Sequence, residues 1–161
     1  MKLGFTGHRR QRLTQYTKDV DSRLYDLAKQ VLIKYQPTEV ISGMALGWDM
    51  AVANAAKSLD IPLIAMIPFY GFSNNWHFRD RVIFDALIEY ADNNGKVIYV
   101  NDPGYAVWKL HKRNESIVDR CDLLIALWDG VEKGGTYECI KYASKVDKSY
   151  NNVWKSWIKY A

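Results

Sequence analysis

Two glycine clusters in this sequence are spaced so that a backbone could hold an anion. Gly134, Gly135 and Thr136 follow the apolar run 123–128 and open a segment in which Ile140 and Ala143 recur at helical spacing. Glycines at a helix entrance let a ligand come close to the main chain, and the free N–H groups and positive end of the helix dipole favour negative charge. That is the chemistry of a phosphate cradle; the competing reading is a tight turn without a guest. The second cluster, Ser42-Gly43-Met44-Ala45-Leu46-Gly47-Trp48-Asp49, joins a short apolar run to an alanine-rich segment in the same way. Asp49 is placed either to cap that helix or to bind a ligand hydroxyl. A basic turn, Gly7-His8-Arg9-Arg10 with Arg12, follows the first apolar run, and its arginines either contact phosphate or ribose or lie in solvent.

Further candidates lie on the segment 105–120. Val107, Leu110, His111, Asn114 and Val118 share one helical stripe, with Arg113 on its shoulder. Arg113 and Asn114 therefore lean inward and need partners, either structural carboxylates or a ligand. The loop 69–77 carries Phe69, Tyr70, Phe72 and Trp76, and reads either as a lid that stacks on a base or as core or oligomer contact. On the lid reading, Trp48 or Trp76 covers the base. His8, His77, His111, Cys121 and Cys139 show no ligand-pair spacing, so neither a metal site nor a bound cofactor is expected.

The elements that must position these groups alternate. Apolar runs at 1–6, 39–42, 61–68, 96–100 and 123–128 read as strands, and periodic segments at 14–35, 50–59, 78–93 and 105–120 read as helices. Short connections between them imply right-handed crossovers. The expected fold is α/β, a Rossmann-like parallel sheet of about five or six strands with helices on both faces. Both glycine loops should then lie at one rim, at the carboxyl ends of their strands, where open parallel sheets bind ligands. Segment 148–161 stays open between a helix, favoured by Val153, Trp157 and Tyr160, and a strand, favoured by Trp154, Ser156 and Ile158. No GxGxxG motif follows the first strand, which argues against an ordinary nicotinamide or flavin dinucleotide site.

The chain of 161 residues is expected to form a single domain over 1–161. Its net charge of +4 comes from interspersed charges of both signs, which suits a small anionic ligand at least as well as a nucleic acid and, without a basic stripe, argues against strong tracking of a phosphate backbone. Two cysteines make no disulfide framework and read as free thiols in a reducing compartment. No apolar run approaches the ~20 residues of a membrane span, and no leader pattern opens the chain. A cytoplasmic location is expected, with no membrane partner.

With its motifs in place, the chain resembles the SLOG superfamily, which takes in the Smf/DprA proteins and the LOG cytokinin-activating enzymes, and within it the YpsA-like branch. The matching pieces are Phe5-Thr6-Gly7-His8-Arg9, Ser42 through Asp49, Arg113-Asn114 with Ile117-Val118-Asp119, and Asp129 with Gly134-Gly135-Thr136. They span nearly the whole chain in the family's order. The resemblance implies a Rossmann-like domain that binds nucleotides or their derivatives, commonly as a homodimer or higher homo-oligomer. LOG enzymes hydrolyse the N-glycosidic bond of nucleoside 5′-monophosphates with a Glu three residues after the Gly-Thr pair and an Arg on the preceding helix. Arg113 matches that Arg, but Cys139 stands where the Glu is required and Glu138 comes one residue early. One residue on a helix is about 100° of rotation, which moves a carboxylate by roughly 7 Å.

The leading expectation is therefore a binding protein for a nucleotide-derived small molecule, acting as sensor, carrier or sequestering protein. Gly134, Gly135 and Thr136 would hold phosphate, Arg9 and Arg113 would add charge-assisted bonds, and Asp49, Asn114 and Glu138 would read hydroxyls or base edges. Gly7, His8, Ser42, Gly43, Gly47, Trp48 and Asp129 complete the candidate site. The alternative is an N-glycosidic hydrolase, or a transferase of the nucleoside deoxyribosyltransferase kind, with Arg113 on the phosphate and Glu138 or Asp129 at the oxocarbenium-like centre. Single-stranded DNA binding of the DprA kind is a further alternative.

Overall fold

Side-chain alternation along the strands divides the apolar residues between two layers. In the computed structural model, which describes residues 1–159, six strands form one sheet: β1 (Lys2–Gly7), β2 (Glu39–Ser42), β3 (Leu63–Phe69), β4 (Gly95–Asn101), β5 (Leu123–Leu127) and β6 (Tyr150–Asn152). All pairings are parallel, in the order β4-β3-β2-β1-β5-β6. Leu3, Phe5, Val40, Leu63 and Ile125 point to one face, where they pack against α2 (Val20–Tyr35), α3 (Trp48–Ser58) and α4 (Phe78–Asn93). Ile41, Ile64, Met66 and Leu124 point to the other, against α5 (Val107–Arg120) and α6 (Gly135–Lys145). The two-residue period of a strand produces this division, and helices on both faces bury it.

Ala51, Ala53, Ala55 and Ala56 are all buried, and their small side chains let α3 lie close between α2 and the sheet. The sequence places the first helix over 14–35, whereas the structure has a four-residue α1 (Arg10–Leu13), turns through 14–19, and α2 only from Val20. The buried stripe Val20, Leu24, Leu27, Val31 begins there, so burial rather than propensity sets the start. The open C-terminal segment resolves into both alternatives, the strand β6 followed by α7 (Trp154–Lys159), with Trp157 buried against α2. Tyr160 lies outside the described residues. Among the described residues no helix is long and apolar enough to cross a membrane.

The topology creates one opening. From β1 the chain moves outward through β2, β3 and β4, then returns across the sheet by α5 to β5 on the other side of β1. The connections leaving β1 and β5 therefore diverge to opposite faces, and a crevice forms outside the carboxyl ends of these two strands.

Candidate functional site

A cavity of about 670 Å³ occupies that crevice. Its near wall is the end of β1 and the basic turn: Thr6, Gly7, His8 and Arg9. Gly134, Gly135, Thr136 and Glu138 face it from α6, and Leu110, Arg113 and Asn114 from α5. Gly134 is the N-cap of α6 with φ 97°, a conformation that side chains resist, and no side chain caps the helix. The first bond of the helix is Glu138 N to Gly134 O at 3.0 Å, so the N–H groups of Gly135, Thr136 and Tyr137 have no acceptor among the described residues. A Cβ built on Gly135 would meet nothing within 4 Å, so this stretch of backbone is open to a guest.

Arg113 forms the floor. It is only 3% exposed, and its guanidinium lies 5.7 Å from the centroid of the Phe72 ring. Nη1 donates to Gly43 O and, at 3.4 Å, to Met66 O, while Nε donates to Asn114 Oδ1 at 2.8 Å. Nη2 has no hydrogen-bond partner among the described residues, which leaves one terminal nitrogen for the cavity. Burial pulls the Arg113 pKa down, with the charge of Asp49 opposing it. The Asp49 carboxyl is in turn pushed up by burial, against the pull of Arg113. Its Oδ2 accepts from Ala45 N at 3.4 Å, and its Oδ1 is buried without a partner.

The remaining charges divide into paired and free. Arg10 is held bidentately by Asp80 at 2.8 and 3.1 Å and also reaches Asp21, so it serves the fold. Arg12 clamps Asp129 Oδ2 at 2.8 and 3.0 Å. Burial would raise the Asp129 carboxyl, but the Val131 N–H, Arg12 and His8 outweigh it and hold it below its usual range. His8 accepts from Asp129 N through Nε2 at 3.0 Å, and burial pushes its pKa down. Arg9 is exposed, and although its carbonyl accepts from Arg12 N at 3.1 Å, its side chain makes no ion pair or hydrogen bond with a described residue. Among the described residues no group of three or more His, Cys, Asp or Glu is arranged to hold a metal ion.

A model of the YspA SLOG family matches residues 3–158. The chain belongs to that family. It is 28% identical over 167 residues to a UPF0398 protein of Ligilactobacillus salivarius (strain UCC118), covering 95% of this chain and 90% of the relative. It is 27% identical over 139 residues to the SPbeta prophage-derived protein YoqJ of Bacillus subtilis (strain 168), covering 76% of this chain and 79% of the relative. The fold is similar to that of the single-stranded-DNA-binding DNA processing protein A of Helicobacter pylori, with TM-score 0.66 and 20% identity over 93% of this chain. It spans 63% of that protein, and 48% of the Streptococcus pneumoniae counterpart, which it matches with TM-score 0.63 and 19% identity over 92% of this chain.

In this SLOG chain the two glycine loops share a rim, but only one is open. Gly43 is buried because the Arg113 guanidinium fills the space beside it. Ser42 is also buried, donating from its hydroxyl to Asp49 O and accepting from Met44 N. Gly47, at φ 110°, packs against the backbone of the 8–10 turn. Residues 43–47 therefore shape the cavity floor rather than open their backbone to it; Ala45 and Asp49 are what line the cavity from this side. Trp48 is not a base cover: it is fully buried, edge-on to Phe5 at 6.1 Å. Trp76 is not one either, since it sits between Phe72 and Phe84 at 5.3 and 5.2 Å in the core. Asp129 is occupied by His8, Arg12 and Val131, and acts as a brace for the turn after β1.

The sequence reading missed Thr6, Gln11, His111 and Lys133 as lining residues. His111 was visible on the α5 stripe; Gln11 and Lys133 carried no signal, being exposed loop and helix-end residues of ordinary type. Buried Lys109 was also missed: its Nζ donates to the carbonyls of Asp102, Pro103 and Gly104 at 2.8, 3.2 and 2.7 Å, fixing the turn before α5. Cys139 lies under the cavity against Thr6, with its thiol pushed up to about 12 by burial, whereas Glu138 is exposed at the cavity edge.

Proposed function

We propose that residues 1–161 act as one nucleotide-binding domain that takes a nucleotide or nucleotide-derived small molecule, with its phosphate against the N-terminus of α6. The observation that carries this reading is the convergence, in one cavity, of the uncapped backbone of residues 135–137 with Arg9 and the free Nη2 of Arg113. Unpaired N–H groups and a helix dipole favour an anion, and charge-assisted bonds to guanidinium contribute about 1.5–3 kcal/mol each. Arg10 and Arg12 are paired with carboxylates, which leaves Arg9 as the unpaired guanidinium of the turn after β1. Asn114 and Glu138 then stand where sugar hydroxyls would pass. A thermal-shift series with adenosine, AMP and ADP tests this. Stabilisation that requires the phosphate, reaching about 2.7 kcal/mol at a hundredfold excess over Kd, is the expected result. Equal stabilisation by adenosine, or none by any of the three, contradicts it.

A second reading, cleavage at the N-glycosidic bond, has one observation in its favour: Glu138 lines the cavity from the first turn of α6. Chromatography of AMP after long incubation decides it. Free base that disappears in Glu138→Gln supports a reaction, and unchanged AMP supports binding alone. The DprA-like reading draws on the likeness of fold.

A further inference from the structure

We infer that the ligand has two nucleoside-sized parts joined by a pyrophosphate, the second part lying in a groove between α5 and α6. The inference rests on the nucleotide-binding reading and names the class of ligand. A second cavity of about 440 Å³ lies between these helices and shares His111, Asn114 and Glu138 with the first. One cavity of about 670 Å³ falls within the usual range for a single small ligand, whereas the two together exceed the roughly 1,000 Å³ at its upper end.

The groove sets charged heads around a largely apolar lining. It adds Glu115, Lys141 and Lys145, and the charged heads of these residues and of Glu138 make no ion pair or hydrogen bond with a described residue, while Lys141 Nζ lies 5.7 Å from the centroid of the Tyr137 ring. Two cations and two carboxylates without mutual partners supply both donors and acceptors, which suits sugar hydroxyls and base edges. A polyanion would meet Glu115 and Glu138. Tyr142 is already committed, donating its hydroxyl to Asp119 at 2.7 Å. At ~1.5 Å per residue, Lys141 and Lys145 lie about 9 and 15 Å along α6 from Gly135. A pyrophosphate seated at the helix N-terminus therefore has its second nucleoside alongside these lysines, with Asn114 and His111 at the crossing point.

The test is calorimetric titration of the full chain with ADP and with diadenosine diphosphate, whose symmetry removes the question of which half goes where. A second protein carries Lys141→Glu and Lys145→Glu, both exposed positions at which an unchanged melting temperature verifies folding. The expected result is at least tenfold tighter binding of diadenosine diphosphate than of ADP by the unmodified protein. The charge-reversed variant should lose that advantage while its affinity for ADP stays the same. Equal affinity for the two ligands, or an equal loss for both in the variant, overturns the bipartite ligand but leaves the nucleotide reading standing. Binding of neither overturns both.

Discussion

Gly43→Ala should unsettle the cavity floor through a single atom. Gly43 does not have positive φ, so its backbone accepts alanine. The added Cβ would fall 2.6 Å from Arg113 Nη1, 2.7 Å from its Cζ and 2.9 Å from Asp49 Oδ2. Ordinary contact needs about 3.5 Å, so the guanidinium must retreat by roughly 1 Å. That movement breaks the bond to Gly43 O and disturbs the one to Asn114 Oδ1. A buried carbonyl left unsatisfied costs about 1–3 kcal/mol and overpacking a similar amount, so a total of about 2–6 kcal/mol is expected, a large share of the ~5–15 kcal/mol stability of a domain. Urea unfolding of Gly43→Ala, Arg113→Met and the double variant isolates the cause. If the clash with Arg113 is responsible, Gly43→Ala costs little once Arg113 is gone, and the pair is coupled by at least ~1 kcal/mol. Additivity within ~0.5 kcal/mol would refute the reasoning, because it would mean that Arg113 does not fill the space beside Gly43.

Three further outcomes follow from the same geometry. Arg9→Ala should weaken ADP binding by about tenfold to a hundredfold, the loss of one charge-assisted bond, while apo stability in urea stays within ~0.5 kcal/mol because the Arg9 side chain is exposed and makes no ion pair or hydrogen bond with a described residue. Gly134→Ala should destabilise by about 1–3 kcal/mol through its φ, whereas Gly135→Ala should leave stability intact and weaken ADP binding, a contrast read by paired melting and calorimetry. The acid limb of the stability curve should carry two opposed slopes. Asp80, lowered chiefly by its bond to Arg10, contributes stability above the unfolded value near 3.8 that is lost as pH falls through the lower folded value, worth about 1 kcal/mol for this part-buried pair. Asp49, raised by burial, binds its proton more tightly when folded, so its part of the stability falls as pH rises from 3.8 through the higher folded value. Urea titrations across pH should lose the first slope in Asp80→Asn and the second in Asp49→Asn.

The strands were legible because apolar runs such as 61–68 and 123–128 have few alternatives once turn residues bound them, and the alternation of elements then allowed little besides a parallel sheet. The start of α2 was not, since Thr14 to Asp19 offer no breaker, and only the packing of Val20 and Leu24 shows where the helix begins. Trp154, Trp157 and Ile158 satisfied two periods at once, and the burial of Trp157 against α2 decides between them. In the site, the open helix entrance at 134–136 could be read locally, because the absence of a capping side chain is a property of neighbouring residues. The fate of Gly43 could not: it depends on Arg113, seventy positions away, entering from the opposite face of the sheet. The same holds for the order that sets β5 beside β1 and opens the crevice between them.

The account depends on an anion meeting the backbone at the head of α6. Amide chemical shifts of the isotopically labelled protein, followed during titration with ADP, report that meeting directly. The predicted result is saturable perturbation concentrated at Gly134, Gly135, Thr136 and Tyr137, with a second group at Gly7 to Arg9. Perturbation confined to other surfaces, with residues 134–137 unmoved while ADP binds, would contradict it.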